Sequence, residues 1–262
     1  MQRTGGLKEK KRNLQMTNEY FESELAKTEY EGVLGVAKFK SVYEELMPVQ
    51  KRRLEELCGD LLHSLIEEGS IICIGVAYPE AIIDCINVEP EGKIDRDEWN
   101  IYAKEYGEIN SLLNTISDGI ADMFHGIQIP ATVEGYTKKV QSVEDYYGMT
   151  VSHRVVAENA GLGWRGKNEL LIHERYSCAL RFASVIVDTP LNIAQKKDLS
   201  CGDCTACLDV CSFLRNKEML ENYRENCRRH IVALDLKDEV CGKCILACYR
   251  QSIFSDKFQL RP

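Results

Sequence analysis

Apolar positions recur along the first two thirds of the chain in two patterns, and each predicts its own kind of element. Between Asp97 and Phe124 the residues Trp99, Tyr102, Tyr106, Ile109, Leu113, Ile116, Ile120 and Phe124 fall three or four apart, on one face of a long amphipathic helix. The same spacing in Leu54, Cys58, Leu61, Leu62 and Leu65 predicts a helix over 49–68 that Gly69 ends. Phe21, Leu25 and Tyr30 predict a first helix over 18–30. The second pattern is the unbroken apolar run. Ile71 to Tyr78 is continuous and β-branched, as in a strand covered on both faces, and Pro79 stops it. Val33 to Ala37 and Ile127 to Val133 are shorter runs of the same kind. The aromatic stripe of the long helix reads as core packing rather than as the lining of a cofactor pocket.

From Val151 the chain changes character. Ser152 caps a short helix that runs through Asn159, and the glycine-rich loop Ala160-Gly-Leu-Gly-Trp-Arg-Gly-Lys-Asn168 follows. Two strand-like runs, 169–173 and 180–187, are separated by a polar stretch that permits a hairpin. Asp188 to Leu191 then leads out of the sheet, and after Ser200 short helices wrap around cysteines. Helices and strands alternating before a cysteine-rich end give an α/β (α+β) core. The expected division is a flexible tail over 1–16, an α/β cofactor-binding domain over 17–195 and a second domain over 196–262, with Met16 as an alternative natural start.

The chain has 262 residues, enough for a core domain and a small second one. With 41 acidic against 33 basic side chains the net charge is −8, which opposes non-specific nucleic-acid binding while allowing a local basic patch. No apolar run is long enough to span a bilayer, and the N-terminus lacks a secretory h-region. A cytoplasmic location with no membrane partner is the expectation.

Eight of the twelve cysteines lie between Cys201 and Cys248. Cys201, Cys204, Cys207 and Cys211 have the C-x2-C-x2-C-x3-C spacing of two-cluster ferredoxins. Cys227, Cys241, Cys244 and Cys248 repeat it with the first cysteine drawn back along the chain. A tight loop of three thiolates wraps three irons of a cubane, and the last cysteine of each run ligates the other cluster. One [4Fe–4S] cluster is therefore expected on Cys201, Cys204, Cys207 and Cys248, and a second on Cys211, Cys227, Cys241 and Cys244. Zinc sites and a disulfide framework compete, but each run carries a further C-x3-C step that zinc does not require. The proline usual after the fourth cysteine is replaced by Ser212 and Tyr249. Cys58, Cys73, Cys85 and Cys178 sit among apolar residues and read as buried thiols. Gly161, Gly163 and Gly166 spell G-x-G-x-x-G, yet they follow a helix rather than a strand, which is not a dinucleotide fingerprint. They either bring backbone amides close to a bulky planar or phosphate-bearing cofactor or form a tight turn with no chemical role.

The glycine-rich loop, Leu170 to Ile172, the exit Val185 to Leu191 and the double cysteine run together resemble the epoxyqueuosine reductases, cobalamin-dependent iron–sulfur enzymes related to reductive dehalogenases. The likeness covers mainly 152–249. It implies a nitroreductase-like cobalamin-binding core joined to a two-cluster ferredoxin-like module, an oxidoreductase whose clusters relay electrons to a corrinoid that reduces the substrate. Gly161, Gly163, Trp164, Gly166, Lys167 and Asn168 would then lie against the corrin, with FMN as the alternative cofactor. An external donor such as a ferredoxin or flavodoxin is implied as partner. The family's acidic proton donor falls in register on Tyr147, so Tyr147, the nearby Asp145 and His153 are the candidate proton donors. Longer members continue into a helical extension that helps hold tRNA. The end at Pro262 and the acidic charge therefore make tRNA a doubtful partner and favour a small-molecule or modified-nucleoside substrate. An electron-transfer or corrinoid-handling protein with no substrate of its own, and an iron–sulfur flavoprotein, are the competing functions.

Overall fold

The computed structural model describes residues 3–87, 93–132 and 140–253, with side chains over 11–251. Its frame is an antiparallel sheet in the order β1-β2-β6-β3, built from β1 (Gly32–Lys38), β2 (Ser70–Ala77), β6 (Leu180–Val187) and β3 (Ile127–Ile129). Every residue of β2 is buried, as its unbroken apolar run requires. Alternate residues feed two cores. Ile72, Ile74 and Val76 join Ala183, Val185 and Val187 against α6 (Arg96–Phe124), which brings Trp99, Tyr102, Ile109, Leu113 and Ile116 to that face. Ile71 and Cys73 face α2 (Phe39–Glu45), α3 (Pro48–Cys58), α4 (Leu62–Glu68) and α8 (His153–Asn159) through Phe39, Leu54, Leu65 and Val156. Each such aliphatic or aromatic side chain contributes about 1.5–3 kcal/mol on full burial.

The long helix matches its sequence pattern and its caps explain its limits. Asp95 accepts from the amides of Asp97 and Glu98 at the start, and His125 in the left-handed conformation (φ 49°) ends it so that β3 can enter the sheet.

Several expectations are corrected. The helix over 49–68 is interrupted at Gly59, whose φ of +49° starts a short 3-10 turn between α3 and α4 and leaves Leu61 49% exposed. Residues 3–16 are helical, within α1 (Arg3–Leu25). Phe21 and Leu25 anchor that helix in the core, and the straight-chain residues before them are good helix formers that let it propagate backwards. It stops short of Tyr30, which instead donates its hydroxyl to Glu105. The segments 169–173 and 180–187 do not form a hairpin. Leu171–Ile172 (β5) pairs with Trp164–Arg165 (β4) inside the glycine-rich loop, while β6 pairs with β2 and β3. Val133, expected in the third apolar run, lies outside the described residues.

The cysteine-rich part carries α9 (Ala206–Asp209), α10 (Ser212–Arg215), α11 (Tyr223–Leu234) and α12 (Lys243–Ile253), preceded on the core side by α5 (Glu80–Asp84) and α7 (Val143–Met149). Leu236, Val240 and Tyr249 from this part enter the main core, so the two parts share one apolar interior. No described helix is long and apolar enough to cross a membrane.

Candidate functional site

The fold brings Cys207 near Cys201, Cys204 and Cys248, and brings Cys227 near Cys211, Cys241 and Cys244. Burial pushes the Cys207 thiol up to about 11, and the next contributions come from Cys248, Cys201 and Cys204. Cys227 is pushed up to about 12, again first by burial and then by Cys241 and Cys211. Cys244 is raised by burial and then by Cys241, Cys227, Cys211 and Cys207, so the second set abuts the first. Gly202 (φ 49°) lets the first loop turn tightly enough for the Cys204 amide to reach the Cys201 carbonyl at 3.1 Å. The helix α12 presents Cys244 and Cys248 one turn apart. Cys211, Cys227, Cys241 and Cys244 line a cavity of about 580 Å³. Among the described residues no three His, Cys, Asp or Glu side chains form a site for a single metal ion. A cubane needs a different arrangement, because it takes each thiolate on a separate iron. Burial makes a bare thiolate costly at these positions.

Cys248 is the exception. Ser177 Oγ donates to its sulfur at 3.0 Å, and Cys178 holds its own proton and points it at the same atom, which favours the Cys248 thiolate. Cys178 was expected to be an inert buried thiol, and it is buried beside Cys248. Cys58 and Cys73 are buried as expected, whereas Cys85 is only half-buried.

The glycine-rich loop is consumed by packing. A Cβ on Gly163 would stand 2.0 Å from the Ile172 carbonyl oxygen, and one on Gly166 would meet Asn168 Oδ1 at 2.6 Å. Gly161 has φ of +69° and lies against the Gln195 carbonyl. Trp164 is buried. Lys167 Nζ donates to the carbonyls of Gly202 and Cys204 at 2.7 and 2.9 Å, clamping the first cysteine loop. Of the six loop residues expected to line a cofactor site, Asn168 alone lines the 580 Å³ cavity, and its Nδ2 reaches Cys178 Sγ at 3.3 Å.

A second cavity of about 420 Å³ adjoins the first, and the two share Tyr146, Tyr147, Glu169, Leu170, Arg181 and Arg224. Together they form a cleft between the sheet core and the cysteine-rich part, within the size range of small-molecule and cofactor sites. The three candidate proton donors fare differently there. Tyr147 lines both cavities, and Arg224 Nη1 donates to its hydroxyl at 2.8 Å. Burial raises its pKa and Arg224 opposes that shift. Asp145 lines neither cavity, because it is exposed and forms a capping box with Ser142 at the start of α7. His153 reaches the smaller cavity with both nitrogens engaged. Nε2 lies 2.8 Å from the Pro130 carbonyl, which can only accept, so Nδ1 accepts from Ser184 Oγ at 2.9 Å. Burial lowers its pKa to about 4, so the ring is a neutral strut between β3 and β6 rather than an acid.

Sequence reasoning missed Glu169 and Arg224. Glu169 receives Arg165, Lys217 at 3.3 Å and Arg224 at 3.1 Å, joining the loop to the cysteine-rich part. Two of those partners are 48 and 55 residues away, a separation that carries no local signal.

No protein-family model matches the chain. Its sequence is 28% identical over 172 residues to the epoxyqueuosine reductase of Lactococcus garvieae, covering 63% of this chain and 43% of the relative. It is 32% identical over 126 residues to that of Leadbetterella byssophila (48% of this chain, 39% of the relative) and 33% over 89 residues to that of Escherichia coli (34% and 23%). The matches thus span less than half the length of these curated relatives. Among solved structures, epoxyqueuosine reductase from Streptococcus thermophilus is similar at 18% identity and a TM-score of 0.48, over 90% of this chain and 64% of that one. An epoxyqueuosine reductase with a tRNA-Tyr epoxyqueuosine-modified stem loop is similar at 20% identity and a TM-score of 0.44, over 77% and 53%. The expectation that tRNA is a doubtful partner is withdrawn on this finding, since a reductase of that name has been solved with such a stem loop.

Proposed function

We propose that this chain, a sequence relative of the epoxyqueuosine reductases, is a reductase that holds two [4Fe–4S] clusters and a corrinoid and acts on an epoxyqueuosine-type nucleoside carried on tRNA. What supports the reading is the spacing of the eight cysteines, with Cys211, Cys227, Cys241 and Cys244 lining a cleft whose other side is the sheet core. Cys201, Cys204, Cys207 and Cys248 would hold one cluster, and Cys211, Cys227, Cys241 and Cys244 the other. When bound, the clusters supply single electrons and the corrinoid supplies a strongly reducing cobalt centre.

The chain's own residues do the rest. Tyr146, Leu170 and Ile245 give the cleft an apolar, aromatic surface suited to a large planar ring. Asn168 lines the same cavity, with its amide on Cys178 Sγ. Tyr147 stands where the family has its acid, and Arg224 fixes its hydroxyl so that the proton stays on Tyr147 Oη until a developing oxyanion calls for it. Glu169 holds Arg224 in place from the other side. A ferredoxin or flavodoxin would supply electrons, in the cytoplasm.

Anaerobic reconstitution with iron and sulfide, followed by cob(II)alamin titration under visible and electron paramagnetic resonance spectroscopy, tests the cofactors. Turnover of an epoxyqueuosine-bearing tRNA stem loop tests the activity. Two clusters with stoichiometric corrinoid binding and loss of the epoxide are expected. Two clusters with no corrinoid binding would leave an electron carrier or an iron–sulfur flavoprotein as the better account.

A further inference from the structure

Arg181 puts a guanidinium into a strand that otherwise reads as core. It opposes Val76 of β2 and shares its sheet face with Ala183, Val185 and Val187, a position where an unpaired cation is costly. Yet among the described residues no carboxylate pairs with it. Its Nε donates to Asn110 Oδ1 and its Nη2 to the Thr132 carbonyl, both at 3.1 Å, and its guanidinium stacks 4.1 Å from the Tyr106 ring centre. Burial bears first on its charge and opposes it, and the hydroxyls of Tyr106, Tyr78, Tyr102 and Tyr146 then favour it.

The donors here outnumber the acceptors. The Thr132 carbonyl takes Arg181 Nη2 at 3.1 Å, Tyr106 Oη at 2.9 Å and Asn110 Nδ2 at 3.0 Å, three donors on an oxygen with two lone pairs. Arg181, Tyr106, Tyr146 and Thr132 all line the larger cavity, so this surplus opens onto the cleft. The geometry points to an oxyanion subsite at the core end of the cleft, in which the fork of Arg181 and the Tyr106 hydroxyl bind a phosphate or carboxylate group of the molecule that enters. The subsite stands on the cleft alone and does not require the corrinoid reading.

The test is isothermal titration of the full chain, before and after cluster reconstitution, with phenyl phosphate and benzoate as probes and inorganic phosphate as competitor. The wild-type chain is expected to bind one probe per chain, and Arg181→Met to weaken it by about tenfold or more, with Arg181→Lys in between. Cobalamin and cobinamide, which lacks the nucleotide phosphate, separate the two sources of the anion. If Arg181→Met weakens cobalamin alone, the subsite takes the corrinoid's own phosphate. If it spares both corrinoids and loses the small probes, the subsite takes a group on the substrate. The proposal is overturned if the wild type binds no probe below about 10 mM, or if a folded Arg181→Met chain binds every probe as the wild type does. Should Arg181→Met fail to fold, Arg181→Lys and Tyr106→Phe carry the test, and unchanged affinity in both overturns it equally.

Discussion

Gly163→Ala distinguishes a loop that packs from a loop that cradles a cofactor. The added methyl would stand 2.0 Å from the Ile172 carbonyl oxygen and 2.8 Å from its carbon, where ordinary contacts begin near 3.4 Å. Both atoms are backbone, so β4 and β5 must part by more than an ångström, and that pair is two residues long on each side. Overpacking costs about 1–3 kcal/mol in general, and a clash with main chain belongs at the upper end. About 3 kcal/mol in a chain of this size lowers the melting temperature by roughly 6–12 °C. The assay is a circular-dichroism melt of the cofactor-free protein under reducing conditions. Gly59→Ala is the control, because Gly59 has φ of +49° with nothing within 4 Å of a Cβ, so it carries backbone strain of about 1–2 kcal/mol alone. A Gly163→Ala chain that melts within about 2 °C of the wild type while losing corrinoid binding would refute the packing account and restore the cradle.

Other outcomes follow from the same geometry. Cys227→Ser should remove one cluster and about half of the bound iron, whereas Cys58→Ser should leave the iron content unchanged. Tyr147→Phe should lower turnover by about 100-fold or more while preserving cluster content, and Asp145→Asn should cost about 1 kcal/mol of stability through its cap and leave turnover alone. Loss of turnover in Asp145→Asn with normal Tyr147→Phe activity would reverse the assignment. Because the folded pKa of His153 lies near 4 and the unfolded one near 6.5, the unfolded chain binds the extra proton between them. Stability should therefore fall as pH drops from about 6.5 to about 4, by up to about 3 kcal/mol, and His153→Phe should flatten that slope in denaturant titrations. Lys167→Met should speed the loss of iron to a chelator, since Nζ otherwise holds the Gly202 and Cys204 carbonyls.

What the sequence disclosed follows the range of each interaction. Periodicity placed α6 and β2, because burial on one face or on both repeats along a single segment. Cysteine spacing divided the eight cysteines into two sets, because cluster chemistry fixes the steps between thiolates. The helix expected over 49–68 is broken at Gly59, whose positive φ starts a 3-10 turn inside the apolar stripe. The letters of the glycine-rich loop left open whether it cradles a cofactor or makes a tight turn. Its glycines answer instead to Ile172, Asn168 and Gln195, neighbours that come into view only when the chain is folded. Arg181 carried no signal at all, since one arginine at the head of an apolar strand looks like a strand end.

The seam between the sheet core and the cysteine-rich part bears on which kind of redox protein this is. Ties cross it from one stretch of chain: Lys167 to the first cysteine loop, Glu169 to Lys217 and Arg224, and Ser177 to Cys248. Leu236, Val240 and Tyr249 bury themselves in the main core beside them. A freely docking carrier gains from presenting its clusters at its own surface, where a partner can approach. Here Cys207 and Cys248 are buried, and the second set opens toward the cleft that Tyr147, Leu170 and Arg181 also line. Clusters on those cysteines, as proposed, would face the chain's own cleft, with the Glu169 ion pairs tying its two sides together. The arrangement favours chemistry performed within this chain over delivery to another.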